Sequence, residues 1–151
     1  FPLNPDKADW SVWNFPDVVD HWNFPGYEGK KMTVSVYSNC EQVELFLNGE
    51  SLGKQENTAD KKNTLVWEVP YAHGILKAVS YNKGGEVGTA TLESAGKVEK
   101  IRLSADRTEI VADGNDLSYI TLELVDSKGI RNQLAEELVA FSIEGDATIE
   151  E

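Results

Sequence analysis

Asn48-Gly49 is the feature that most restricts what this chain can fold into. It sits between Val43, Leu45 and Leu47, which alternate with polar neighbours, and the run Glu50–Lys54. An Asn-Gly pair supplies the two positive-φ residues of a type I′ turn, whose twist matches that of paired strands, so these runs are expected to form a hairpin. The same period of two recurs at Met32, Val34 and Val36, and again at Leu65, Trp67 and Val69, where Pro70 ends the run. His73-Gly74 then turns the chain into Ile75–Tyr81, and Asn82-Lys83-Gly84-Gly85 turns it into Glu86–Leu92. Short strands with turn signals every 8–12 residues are the pattern of an antiparallel sandwich. Gln55 to Asn63 reads as a polar loop, and no stretch has the spacing of an amphipathic helix.

Beyond Ser94-Ala95-Gly96, which reads as a short linker, the alternation resumes. Ile101, Leu103 and Ala105 form one run, and Ile110-Val111 leads into the turn Asp113-Gly114. Ile120, Leu122 and Leu124 form another, closed by Asp126-Ser127-Lys128-Gly129, and Val139, Phe141 and Ile143 a last one. Gln133–Leu138 has room for a helical turn. Four or five strands are thus expected here, fewer than the seven of a full immunoglobulin-like sandwich. The expected architecture is all-β: two tandem immunoglobulin-like β-sandwiches, the second incomplete at its C-terminus. Residues 1–29 form a Trp/Pro-rich entry segment, 30–95 the first sandwich and 97–151 the second. The start at Phe1-Pro2, with Met32 the only methionine, is read as that of a piece excised from a longer protein.

Charge narrows the partners. Lys and Arg number 14 against 26 Asp and Glu, a net charge of −12, and an acidic chain lacks the basic face that phosphate backbones need. No nucleic acid is expected, and no membrane partner either, since no apolar run approaches the ~18 residues of a membrane-spanning helix. One cysteine, Cys40, permits neither an internal disulfide nor a multi-cysteine metal cage. Cys40 lies beside Glu41, an acid that opposes thiolate formation, so a structural thiol is expected there. His21 and His73 have no metal-ligand spacing, and Ala112-Asp113-Gly114-Asn115-Asp116 lacks the terminal glutamate of a calcium loop. No metal, cofactor or catalytic residue is expected. Acids are abundant, but a glycosidase needs two held about 5–9 Å apart in a cleft, one with a raised pKa. Here they alternate outward on strands or lie in loops.

Tryptophan is the remaining signal. Trp10, Trp13 and Trp22 fall within a short stretch interleaved with Phe15-Pro16 and Phe24-Pro25. Such residues either stack on sugar rings or fill a protein interface, and the enrichment of tryptophan at buried interfaces favours the second. Trp10, Trp13, His21 and Trp22 are the candidate sugar or interdomain contacts.

His21-Trp22-Asn23-Phe24, Tyr27-Glu28-Gly29-Lys30, Val34–Asn39, Val43–Gly53, Trp67–Tyr71 and Gly74–Tyr81 together resemble a known module. It is the β-sandwich that follows the catalytic barrel in bacterial family 2 glycoside hydrolases, chiefly β-galactosidases. Ile101–Leu103, Asp106-Arg107, Ala112–Gly114, Tyr119–Asp126 and Val139–Gly145 resemble the bacterial immunoglobulin-like domain that comes next in those enzymes. The resemblance implies a non-catalytic accessory region whose partner is the barrel of the same parent chain, with the two catalytic glutamates on that barrel and none here. It implies a parent that hydrolyses terminal β-galactosides with retention, in a periplasmic or extracellular setting. The aromatic segment at His21–Phe24 would dock near that barrel. Alternatives are a carbohydrate-binding module and a repeat of a surface adhesin, whose Ala-Asp-Gly pattern the second half shares. A sheet cut short leaves an unpaired edge, which invites dimerisation.

Overall fold

The computed structural model describes residues 18–149 of the chain. Eight strands account for its regular structure: β1 (Lys31–Tyr37), β2 (Gln42–Leu47), β3 (Glu50–Glu56), β4 (Thr64–Pro70), β5 (Ile75–Asn82), β6 (Gly85–Glu93), β7 (Lys100–Ala105) and β8 (Ile120–Val125). The fold is all-β, with a single 3-10 turn at Ala59–Lys61 and no α-helix among the described residues.

Strands β1 and β4 pair antiparallel in one layer, and β3-β2-β5-β6 form the other. The chain changes layer between β1 and β2, between β3 and β4, and between β4 and β5. The result is a two-layer, immunoglobulin-like sandwich. Alternation sets the inner faces: Leu65, Trp67 and Val69 of β4 meet Val43, Leu45 and Leu47 of β2 and Leu76 and Ala78 of β5. Val43, Leu45, Leu65 and Val69 are fully buried. The Asn48-Gly49 hairpin forms as expected, with φ of 52° and 85° at its two central residues. Lys83-Gly84 closes β5 onto β6 the same way, at 50° and 77°.

The sandwich is sealed on one side, where the Gln55 side chain of β3 donates to the Val66 carbonyl of β4 at 2.8 Å. The other side is open. There β1 and β6 are both edge strands. Met32 of β1 is buried, but its inward neighbours Val34 and Val36 are only half-buried.

The second half meets expectation in part: the runs at Ile101–Ala105 and Ile120–Leu124 form β7 and β8, and the other expected strands do not form. Only β7 and β8 pair, in register from Lys100↔Val125 to Ala105↔Ile120, with one isolated bridge between Val125 and Arg131. Val139–Ile143 and Ile110-Val111 form no strand, and their side chains are largely exposed. Alternation prepares a segment to pair, but a strand exists only where a neighbour supplies hydrogen bonds, and none lies beside 139–143 among the described residues. The helical turn at Gln133–Leu138 reduces to one turn on Asn132, whose carbonyl accepts from the Ala135 N–H at 3.4 Å. Nor does Ser94-Ala95-Gly96 run free over the surface: Ser94 and Ala95 are buried.

Candidate functional site

Two of the four candidate contacts, Trp10 and Trp13, lie outside the described residues. His21 and Trp22 lie within a short strip, residues 21–24, that has no regular structure and closes one end of the sandwich. A non-repetitive segment must find partners for its polar backbone groups elsewhere, and this one does. The Trp22 indole N–H donates to the Ala72 carbonyl at 2.9 Å. The Trp22 carbonyl accepts the Ser94 hydroxyl proton in a short hydrogen bond. The Phe24 N–H donates to the Tyr71 hydroxyl at 3.1 Å, and the Asn23 N–H to His21 Nδ1 at 3.2 Å. Trp22, Phe24 and Tyr71 pack edge-to-face, with centroids 5.2–6.0 Å apart. At 2% exposure Trp22 has no free ring face.

His21 sits at the rim of the strip, its ring centroid 5.0 Å from that of Phe24. Burial holds its pKa below the ordinary histidine value, and Asp20 partly offsets that. The hydrogen bond from Asn23 requires a free lone pair on Nδ1, so the neutral ring carries its proton on Nε2. Asp20 and His21 border a cavity of about 350 Å³ whose other walls include Leu92 and Glu93 of β6 and Ile130 and Arg131 of the second half.

A second set of contacts ties the halves together. Asp126 is buried; its Oδ2 accepts the Gly96 N–H at 2.9 Å, and its Oδ1 accepts those of Lys128 and Ile130. The bond from Gly96 is the main cause of a pKa held below the usual carboxylate range. Asn132 returns a side-chain hydrogen bond to the Gly96 carbonyl at 3.0 Å, and Lys128 pairs with Glu93 at 2.9 Å. Sequence reading placed Asp126 in a turn, which it does occupy. Its reach back to Gly96 carries no local signal.

Several carboxylates serve as ion-pair and turn partners. Glu44 binds Ser51 and Lys54, Glu123 binds Arg102, and Asp113 accepts the Asn115 and Asp116 N–H groups. In each case these partners hold the carboxyl's pKa down, opposite to what a general acid requires. Among the described residues no group of three or more His, Cys, Asp or Glu side chains is placed to hold a metal. Cys40 is half-buried, and its thiol lies 3.9 Å from Asn39 Oδ1.

Residues 29–88 match the family model of a domain of unknown function, DUF4982, and residues 101–150 match that of glycoside hydrolase family 2 C-terminal domain 5. A crystal structure of a glycosyl hydrolase family 2 member from Bacteroides cellulosilyticus is 99% identical and superposes with a TM-score of 0.89, covering 98% of this chain and 19% of that one. The chain belongs to the C-terminal region of glycoside hydrolase family 2. Among curated members, β-galactosidase BoGH2A of Bacteroides ovatus is 33% identical over 144 residues, which is 95% of this chain and 17% of that protein. A β-glucuronidase of Formosa agariphila is 32% identical over 147 residues, 93% of this chain and 14% of that protein. A crystal structure of a family 2 β-glucuronidase is 30% identical with a TM-score of 0.68, covering 76% of this chain and 12% of that one. The chain therefore spans under a fifth of the length of these relatives.

Proposed function

We propose that this chain is the non-catalytic support region of a family 2 hydrolase that cleaves terminal β-galactosides. One observation carries the reading: the chain matches a family 2 member over 98% of its own length yet spans only 19% of that member. Most of the polypeptide, where the bond-breaking carboxylates would lie, is outside this region. The carboxylates described above support the same view, being committed to ion pairs and turns. The galactoside preference draws on BoGH2A; the β-glucuronidase relative makes glucuronides the competing substrate. Assay of the parent enzyme on aryl β-galactosides and aryl β-glucuronides tests this. Preferential turnover of the galactoside is expected, and preferential turnover of the glucuronide would overturn the assignment.

The support region divides near Gly96 into a first sandwich (30–95) and a second domain (97–151), with residues 1–29 as an entry segment that buries its aromatics against protein. The packing of Trp22 favours this over sugar stacking, because a pyranose ring needs an open aromatic face. Soluble oligosaccharides should leave the tryptophan fluorescence unchanged; a saturable response would favour the carbohydrate-binding alternative. In the isolated chain a second copy pairs along the edge that the truncated second sheet leaves free and covers the exposed apolar face of β7–β8.

A further inference from the structure

Among the described residues β7 has one neighbour, β8, and all six of its residues are exposed. The outer edge of β8 is partly taken, by the bridge from Val125 to Arg131 and by the Asn132 N–H, which donates to the Leu124 carbonyl at 2.8 Å. The edge of β7 is open along its length. Backbone direction tells which groups it presents. The Asp106 N–H donates to the Tyr119 carbonyl at 3.0 Å, and Ala105 stands across from Ile120. Hydrogen-bonded pairs alternate along an antiparallel ladder, so Ser104, Arg102 and Lys100 turn their backbone groups to β8. Ile101, Leu103 and Ala105 turn theirs to the open edge, where no strand meets them among the described residues.

A second β7 laid antiparallel along that edge has few registers open to it. An outward-turned residue must meet another, so the two-fold axis passes through a residue and not between two. An axis through Arg102 sets two guanidinium groups opposite each other, and one through Ile101 sets Lys100 against Arg102. Like charges directly opposite are destabilising. An axis through Ser104 puts the apolar Ile101 across from Arg107. An axis through Leu103 brings Leu103 to Leu103, Ile101 to Ala105 and Arg102 to Ser104, and sets Lys100 against Asp106. Beyond the strand Glu99 then faces Arg107 and Lys97 faces Glu109, so each acid meets a base. We propose that two copies of this chain join β7 to β7 about an axis through Leu103. The product is a continuous sheet, β8-β7-β7-β8, with Ile101, Leu103, Ile120 and Leu122 of both copies on one apolar face. The inference rests on the reading that a second copy pairs along the free edge, and narrows it to one strand, one register and one set of charges.

Mixed-label NMR and a charge cycle, both on the full 151-residue chain, test this. In a dimer of isotope-labelled and unlabelled copies, the Ile101 methyl groups should contact Ala105 of the other copy. Lys100 and Asp106 lie about 20 Å apart along one strand at ~3.3 Å per residue, so coupling between them must pass through the second copy. By sedimentation, Lys100→Glu should weaken the dimer about tenfold, because it turns two attractive pairs repulsive. Asp106→Asn keeps the side-chain oxygen that accepts the Tyr119 N–H. It should weaken the unmodified dimer yet strengthen that of Lys100→Glu. A dimer with Ile101 against any other methyl group, or one in which Asp106→Asn acts alike in both backgrounds, would overturn the register and keep the second copy. A chain that stays monomeric at high concentration would overturn both.

Discussion

At the scale of single residues, Gly74 holds the junction between the strip and the hairpin. Its φ is +138°, and a Cβ there would lie 1.9 Å from Asn48 Oδ1. Asn48 does more than turn the hairpin: its Oδ1 accepts the Ile75 N–H at 2.8 Å and its Nδ2 donates to the His73 carbonyl at 3.1 Å. Gly74 donates to Ser94 Oγ, whose proton goes to the Trp22 carbonyl. Gly74→Ala should therefore destabilise the chain by about 3 kcal/mol through backbone strain plus displaced hydrogen bonds, read from chemical denaturation. A change below about 1 kcal/mol would show that the contact yields freely. His21 gives the pH dependence. Its folded pKa lies below its unfolded one, so stability is complete above about pH 6.5 and falls as acid protonates the unfolded chain first. His21→Gln should flatten the stability profile between pH 5 and 7, that is, within roughly one to two units of that ordinary value. Asp126 acts at lower pH: its folded pKa is depressed, so its contribution holds above about pH 4 and is lost on further acidification. The His73-Gly74 turn was visible in the sequence, but the side chain that forbids any residue larger than glycine comes from Asn48, and chain-local patterns do not carry that distance.

At the scale of elements, the first sandwich was legible because its strands are bounded by turns whose chemistry allows one geometry. Asn48-Gly49 and Lys83-Gly84 each set a register, and alternation then assigns the inner residues of β2 and β4, while a register shift in each of the β2–β3 and β5–β6 pairs is not visible in the sequence. In the second half only the two runs that form β7 and β8 were legible in the sequence. Val139–Ile143 alternates as well as β8 does, but pairing is a property of two segments, and the sequence of one does not say whether its partner is at hand. What β7 and β8 do show is a two-faced sheet. Ile101, Leu103 and Ala105 stand directly across from Leu124, Leu122 and Ile120, with Arg102 and Glu123 paired on the opposite face. Ile101, Leu103 and Ile120 are each more than half exposed, an apolar row of the kind that drives association. Sedimentation of the isolated chain should show a concentration-dependent dimer that Leu103→Lys abolishes. A strictly monomeric chain at high concentration would contradict a second copy on this face.

At the scale of the whole molecule, the parts point one way. A buried inter-sheet core, an aromatic strip hydrogen-bonded to Tyr71, Ala72 and Ser94, and Asp126 bound to Gly96 tie the sandwich to the second half. Asp126→Ala should loosen that coupling, seen as faster amide exchange at Gly96 and Ile130 with the sandwich core unaffected; uniform protection would mean that Asn132 and Lys128 suffice. The candidate contacts were the least legible feature. Aromatic residues in a short run announce burial or stacking, and only the neighbours of Trp22, fifty and seventy-two residues away at Ala72 and Ser94, separate the two.

Support without catalysis is the central claim, and turnover measured side by side tests it most directly. The 151-residue chain and the parent enzyme that carries it would be assayed on the same chromogenic β-galactoside. The parent is expected to hydrolyse it and the chain to leave it intact at any concentration. Hydrolysis by the pure chain, abolished by replacing one of its own carboxylates, would contradict the account.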